Sequence, residues 1–176
     1  MPDSPDPLAA AIAFGLPLSA NATLPDALRA AEHRLRALPR EVALAFAADG
    51  RLLLFKVGDE TKVAFTEAEL SVLRDAFFTH NHPSQSFLTV RDIEFACHHN
   101  LAQLRAVAGP LAHVLTRPAT GWPLGRCRQL VAIEQARLRK RFAPAGADRA
   151  QAHRQWNAFA RKLVERLSLP LSQETS

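Results

Sequence analysis

The sequence predicts an α/β (α+β) protein, a mixed β-sheet flanked by helices with an added helical segment at the C-terminal end. Three observations carry this. Two apolar runs, Glu41 to Ala47 and Arg51 to Val57, flank Ala48-Asp49-Gly50, and an Asp-Gly pair supplies the positive φ that a tight hairpin needs. Capping-box patterns at Thr66 and Thr89 each open a helix, because a Thr side chain and an acid three residues on satisfy each other's backbone amides. Short apolar runs follow each of these helices, so strands and helices alternate through the middle of the chain.

The elements follow in order. Residues 1 to 21 are rich in Pro, Ala and Asp and suggest a loose arm or a short helix. Leu24 to Leu38 places Leu24, Ala27, Leu28, Ala31 and Leu35 on one helical side, and Pro39 closes the run. After the hairpin, Lys62 to Phe65 suggests a third strand beyond the Gly58 turn. The Thr66 helix extends to about Ala76, and Phe77 to His80 is a buried strand that runs into a loop from Asn81 to Leu88. Thr89 to Asn100 is a helix, Gln103 to Ala108 and His113 to Arg117 are strands, and Pro118 to Pro123 is a linker. Two helices, about Arg126 to Arg141 and Asp148 to Leu167, are separated by Ala143-Pro144-Ala145-Gly146. The expected organisation is an arm and helix over 1–38, a core over 39–123 and a basic helical extension over 124–176, with no internal repeat.

Composition narrows the function classes. With 176 residues, 48% of them hydrophobic, the chain can bury one core of ordinary domain size. Two cysteines, Cys97 and Cys127, make neither a disulfide framework nor a CxxC pair, which fits a reducing cytoplasm. The stretch from Pro7 to Ala20 is broken by Gly15 and Pro17 and preceded by acids, so it reads as neither a signal peptide nor a membrane span. The net charge of +5 is concentrated late: Leu124 to Pro170 holds eleven Lys or Arg against Glu134, Asp148 and Glu165. Such a segment can meet nucleic acid, but solvated helix faces are often this rich in Arg, and no aromatic interleaving accompanies the charge.

The chemistry concentrates between Thr79 and Asp92. Residues two apart on a strand face the same way, so His80 and His82 offer two imidazoles to one ion. Asp92, in the first turn of the following helix, returns a carboxylate as third ligand. Two nitrogens and one oxygen leave a fourth tetrahedral position for water, the arrangement of a catalytic rather than a structural zinc site. Each piece also has a plain structural explanation, since Thr89 with Asp92 forms a capping box on its own account. The string His80-Asn81-His82 does not indicate an HNH nuclease, whose namesake residues are dispersed through a ββα unit.

His80-Asn81-His82-Pro83-Ser84 followed by Thr89-x-x-Asp92 resembles the H-x-H-P…S-x-x-D signature of JAMM (JAB/MPN-type) metallopeptidases. It is closest to the HNHPSG form of RadC-like and phage-associated bacterial domains. The order of elements over about Pro39 to Arg117 is similar to that family's. The resemblance implies a JAMM/MPN-like, cytidine-deaminase-like fold and a Zn2+-dependent peptidase or isopeptidase. Glu41 would then be the general base, with Glu32 and Glu60 as rivals, and Thr89 would stand where the family has an oxyanion-binding serine. Gln85 replaces the usual glycine, and the interval from His82 to Asp92 is one residue shorter than in the commonest form. A peptide or protein tail is the implied substrate, with ubiquitin-like proteins among the candidates. A RadC-like DNA-associated protein is one alternative, since the last third is basic, and a JAB-fold binding module without turnover is another.

Other residues carry weaker signals. Cys97 reads as a small buried thiol, His98 and His99 as partners of a helix C-terminus, and His33, His113 and His153 as isolated side chains. Ser84 and Ser86 lack the glycine-framed elbow of a nucleophile. Trp156, Phe159, Ala160, Leu163 and Leu167 form a helical stripe that suits core packing or a homo-oligomer interface. Trp122 is expected to pack where the core meets the C-terminal helices.

Overall fold

The computed structural model describes residues 6–142 and 149–175. Among these residues, six helices and six strands alternate in part, and the strands form one mixed sheet. In chain order they are α1 Pro7–Ala13, α2 Leu24–Leu35, β1 Val42–Phe46, β2 Leu52–Val57, α3 Glu67–Ser71, β3 Phe77–Asn81, α4 Val90–His99, β4 Gln103–Ala108, β5 Leu111–Thr116, α5 Leu124–Phe142, α6 Arg149–Arg166 and β6 Leu171–Thr175. The sheet order is β2-β1-β3-β4-β5-β6. Among the described strands, β3 and β4 are the pair that runs parallel, and α4 is the crossover between them.

The sheet separates two apolar layers by the two-residue alternation of its side chains. Ala43, Ala45, Phe78, Leu104, Ala106 and Leu115 face a core shared with α4, α5 and α6. Val42, Leu44, Phe46, Val107, Ala112 and Val114 face α1 and α2. Because both faces are covered, β1 is buried at every residue, and its sequence reads as an unbroken apolar run. The hairpin forms as expected. Gly50 has φ +89°, and a Cβ there would strike the backbone of Ala22 and Leu24, so glycine is required both by the turn and by this close approach.

Four expectations need correction. Lys62 to Phe65 forms no strand, because Asp59 N–H bonds the Lys62 carbonyl at 3.0 Å and turns the chain back. The Thr66 helix stops at Ser71 rather than near Ala76, and Asp75 takes a left-handed φ of 61° before β3. β5 is shifted toward Leu111. After Leu167, where no element was expected, β6 adds a sixth strand against β5. The proposed break at Ala143 to Gly146 lies outside the described residues.

The late helices are integral to the core. Phe159, Ala160, Leu163 and Leu167 are buried against α4 and the sheet, so the stripe that suggested self-association packs within the chain. Trp122 is buried, and its indole N–H bonds the Leu101 carbonyl at 2.7 Å. On the α2 side, Arg105 pairs with Glu32 at 2.5 and 3.0 Å and with Glu174 of β6 at 2.7 Å, while Thr79 donates to Glu32 at 2.9 Å. Among the described residues, no helix is long and apolar enough to cross a membrane.

Candidate metal site

Sheet register brings the first two ligands together. His80 lies on β3 between Ala43 of β1 and Ala106 of β4, its direct partners on either side. Both are alanines, so the imidazole has room to lie over the sheet toward α4. His82 follows two residues later, just past the end of β3, with its N–H bonded to the Val107 carbonyl at 2.9 Å. Asp92 occupies the third position of α4, above the carboxyl ends of the parallel strands, the place where open α/β sheets commonly bind ligands.

The three side chains converge. His80 Nε2 and His82 Nε2 are 2.9 Å apart, and the Asp92 carboxylate oxygens lie 3.4 Å from each imidazole. A tetrahedral ion with bonds of about 2.0–2.1 Å has ligand-to-ligand edges of about 3.3 Å; His80 Nε2 lies at that distance from Asp92 Oδ1, and His82 Nε2 at the same distance from the other oxygen, Oδ2. These residues are the one group of three or more such side chains among the described residues with the spacing to hold a metal ion. Three lone-pair donors facing one another need a cation or protons between them. The arrangement therefore suits a metal ion, and the imidazoles are only 6% and 4% exposed.

Neighbouring groups orient two of the ligands. The Ser86 carbonyl lies 3.0 Å from His82 Nδ1, and because a carbonyl only accepts, Nδ1 carries the proton and Nε2 keeps its lone pair for the ion. Asp92 Oδ2 accepts from the Thr89 amide at 2.7 Å and the Thr89 hydroxyl at 2.8 Å, while Thr89 Oγ1 accepts from the Asp92 amide at 3.2 Å. The capping box and the ligand reading thus hold together, one carboxylate serving both. Among the described residues, His80 Nδ1 is buried without a hydrogen-bond partner.

Electrostatics bind the group further. Burial works against the Asp92 charge, but the His80 and His82 imidazoles hold its carboxyl well below the usual carboxylate range. Burial likewise lowers the His82 pKa, and Asp92, the Ser86 carbonyl and Glu41 outweigh it, so the pKa is raised. Glu41 is the reverse case: its carboxyl is pushed up chiefly by burial, against the pull of His80 and His82 and with help from Asp92 and Asp59. Extending the β1–β3 register two residues beyond the Ala43–His80 pair sets Glu41 opposite His82, on the same face. Its rivals are placed elsewhere. Glu32 is committed to Arg105 on the α2 face, and Glu60 is exposed beside the Asp59 turn.

Two positioning residues escaped the sequence reading. Asn81 points to the opposite face of β3, where its Oδ1 accepts from the Val42 amide at 2.8 Å and its Nδ2 donates to the Arg40 carbonyl at 3.0 Å. It therefore grips the backbone on both sides of Glu41. Ser86 acts on His82 chiefly through its carbonyl, which any residue type possesses, with its hydroxyl 3.2 Å from the same Nδ1. Gln85, where the resemblance expects glycine, has φ 54° in the left-handed region, and its N–H bonds the His82 carbonyl at 2.8 Å. Thr89 keeps its hydroxyl proton on Asp92 in this geometry. His98 pairs with Arg128 at 3.0 Å, His99 lies against Phe95, and Cys97 is buried, all apart from the ligand group.

No family model, curated protein or solved structure matches this chain. The functional reading accordingly stands on the side chains and their geometry.

Proposed function

We propose that the chain is a zinc-dependent hydrolase of the JAMM kind, cutting a peptide or isopeptide bond in a protein tail. The observation that carries this reading is the convergence of His80, His82 and Asp92 within 3.4 Å of one another, with Glu41 in electrostatic reach of all three. Two imidazoles and one carboxylate, with no thiolate, suit zinc and leave a coordination position open. Bound there, zinc would polarise a carbonyl and lower the pKa of water to about 7.

The chain's own residues divide the remaining work. His82 is held in the ligating tautomer by Ser86, and Asp92 is aimed by Thr89. Glu41 has its carboxyl pKa pushed above the ordinary carboxylate value by burial, the direction that suits a group that takes a proton and returns it to a leaving nitrogen. Asn81 holds the backbone that presents it. Thr89 is assigned here as a positioning residue for Asp92 rather than as an oxyanion donor, since its proton is already given to the carboxylate.

Zinc content and peptide hydrolysis measured together test the division of labour. Glu41→Gln should retain stoichiometric zinc and lose hydrolysis, whereas Asp92→Ala should lose zinc. Equal loss of zinc from both variants would overturn the assignment.

A further inference from the structure

Beside the ligand group lies a set of polar side chains that neither metal holding nor proton transfer uses. Ala43, His80, Ala106, His113 and Gln173 pair in turn across β1, β3, β4, β5 and β6, forming one cross-sheet row. Paired residues share a face, so His113 is on the ligand side of the sheet, two strands from His80 or about 10 Å at ordinary strand spacing. Only the small Ala106 stands between them in the row. Gln173 Nε2 donates to His113 Nδ1 at 3.1 Å, which leaves the ring proton on Nε2. That Nε2–H has no acceptor among the described residues. Burial first, and then Arg161 and His82, lower the His113 pKa, so the ring is a neutral donor near pH 7.

Arg161 of α6 completes the set. Its guanidinium stands 4.1 Å over the Phe87 ring, and Phe87 meets His113 edge-on at 4.9 Å between centroids. Phe87 directly follows Ser86, the residue that orients His82, so the guanidinium is tied to the loop that carries a ligand. Arg105, Arg117 and Arg137 each have a carboxylate partner. Arg161 has none among the described residues. Arg161 is exposed on α6, so its positive charge at this edge of the site is open to a ligand.

We infer that Arg161 and His113 form an anion subsite, which takes a carboxylate of the substrate peptide within about three residues of the scissile bond. The inference rests on the peptide-hydrolase reading for its substrate class. An acidic side chain and a chain's terminal carboxylate present the same chemistry, and three acetylated probes separate them: Ala-Ala-Glu amide, Ala-Ala-Gln free acid and Ala-Ala-Gln amide. Binding is followed by NMR titration of the full chain, with and without zinc, in the wild type, Arg161→Gln and Arg161→Lys. One or both acidic peptides should bind the wild type about fivefold or more tightly than the neutral one, with zinc or without it. Arg161→Gln should erase that preference and Arg161→Lys should keep part of it. Equal binding of all three peptides, or a preference that survives Arg161→Gln, overturns the subsite. An Arg161-dependent preference in a chain that binds no zinc upholds the subsite and defeats the hydrolase reading, while zinc binding without any preference overturns the subsite and leaves the metal site standing.

Discussion

Replacing Asn81 by Ala removes the clamp on the Glu41 segment while leaving all three ligand side chains in place. Asn81 is 1% exposed, and its amide supplies the acceptor for the fully buried Val42 N–H at 2.8 Å and a donor to the Arg40 carbonyl at 3.0 Å. A buried donor left without an acceptor costs roughly 1–3 kcal/mol, and the space vacated by the amide adds to that. The sum is a loss of about 2–4 kcal/mol, which in a chain of this size lowers Tm by about 5–10 °C. Asn81→Asp keeps the acceptor for Val42 but turns an oxygen toward the Arg40 carbonyl, so it should not rescue stability. Urea unfolding reads the cost and zinc titration reads the site. Because the Asn81 side chain lies on the face of β3 opposite His80, zinc affinity should stay within about twofold of the wild type. A stability loss under about 0.5 kcal/mol, the range of ordinary surface changes, would show that the clamp carries no weight. A fall in zinc affinity matching that of a ligand substitution would show that Asn81 acts on the ligands and not on the Glu41 backbone.

Further outcomes follow from other contacts. Thr89→Ala removes both the helix cap and the group that aims Asp92; unfolding should register about 1 kcal/mol of lost stability and zinc titration a loss of about 10–100-fold, with Thr89→Ser restoring most of each. Arg105→Met leaves Glu32 buried without its cation and should cost about 3–5 kcal/mol in urea unfolding, whereas Arg105→Met with Glu32→Leu should cost clearly less. Glu69 has its pKa lowered: burial opposes this, but the Lys56 ammonium at 2.7 Å and the Thr66 cap outweigh it. A depressed folded pKa means stability that is complete above the unfolded value near 4.3 and is lost as pH falls through the folded one. The stability of Glu69→Gln should therefore depend less steeply on acid below about pH 5 than that of the wild type.

Much of this molecule is legible in its sequence where local chemistry and tertiary demand agree. Asp49-Gly50 announces the hairpin, and the Thr66 and Thr89 boxes announce their helices, because a turn and a cap are each satisfied within four residues. The His80, His82 and Asp92 group is legible for a related reason: strand period and helix start together set which way those side chains point. What stayed hidden depends on distant partners. β6, with the sequence Leu-Ser-Gln-Glu-Thr, has little strand character of its own, and each of its residues is exposed. It is fixed by pairing with β5 and by Glu174 reaching Arg105. Lys62 to Phe65 has strand-like residues yet folds back on Asp59, a local bond that no apolar pattern reveals. Asn81 sat in plain view between the two histidines, and its role became visible only once β1 lay alongside β3.

Zinc titration of the purified chain, metal-free at the start and read by calorimetry alongside His80→Ala, His82→Ala and Asp92→Ala, tests the central claim most directly. The account predicts one zinc per wild-type chain and a large loss of affinity in each of the three variants, while Glu41→Gln binds as the wild type does. Wild-type chains that take up no zinc, or variants that bind it undiminished, would contradict it.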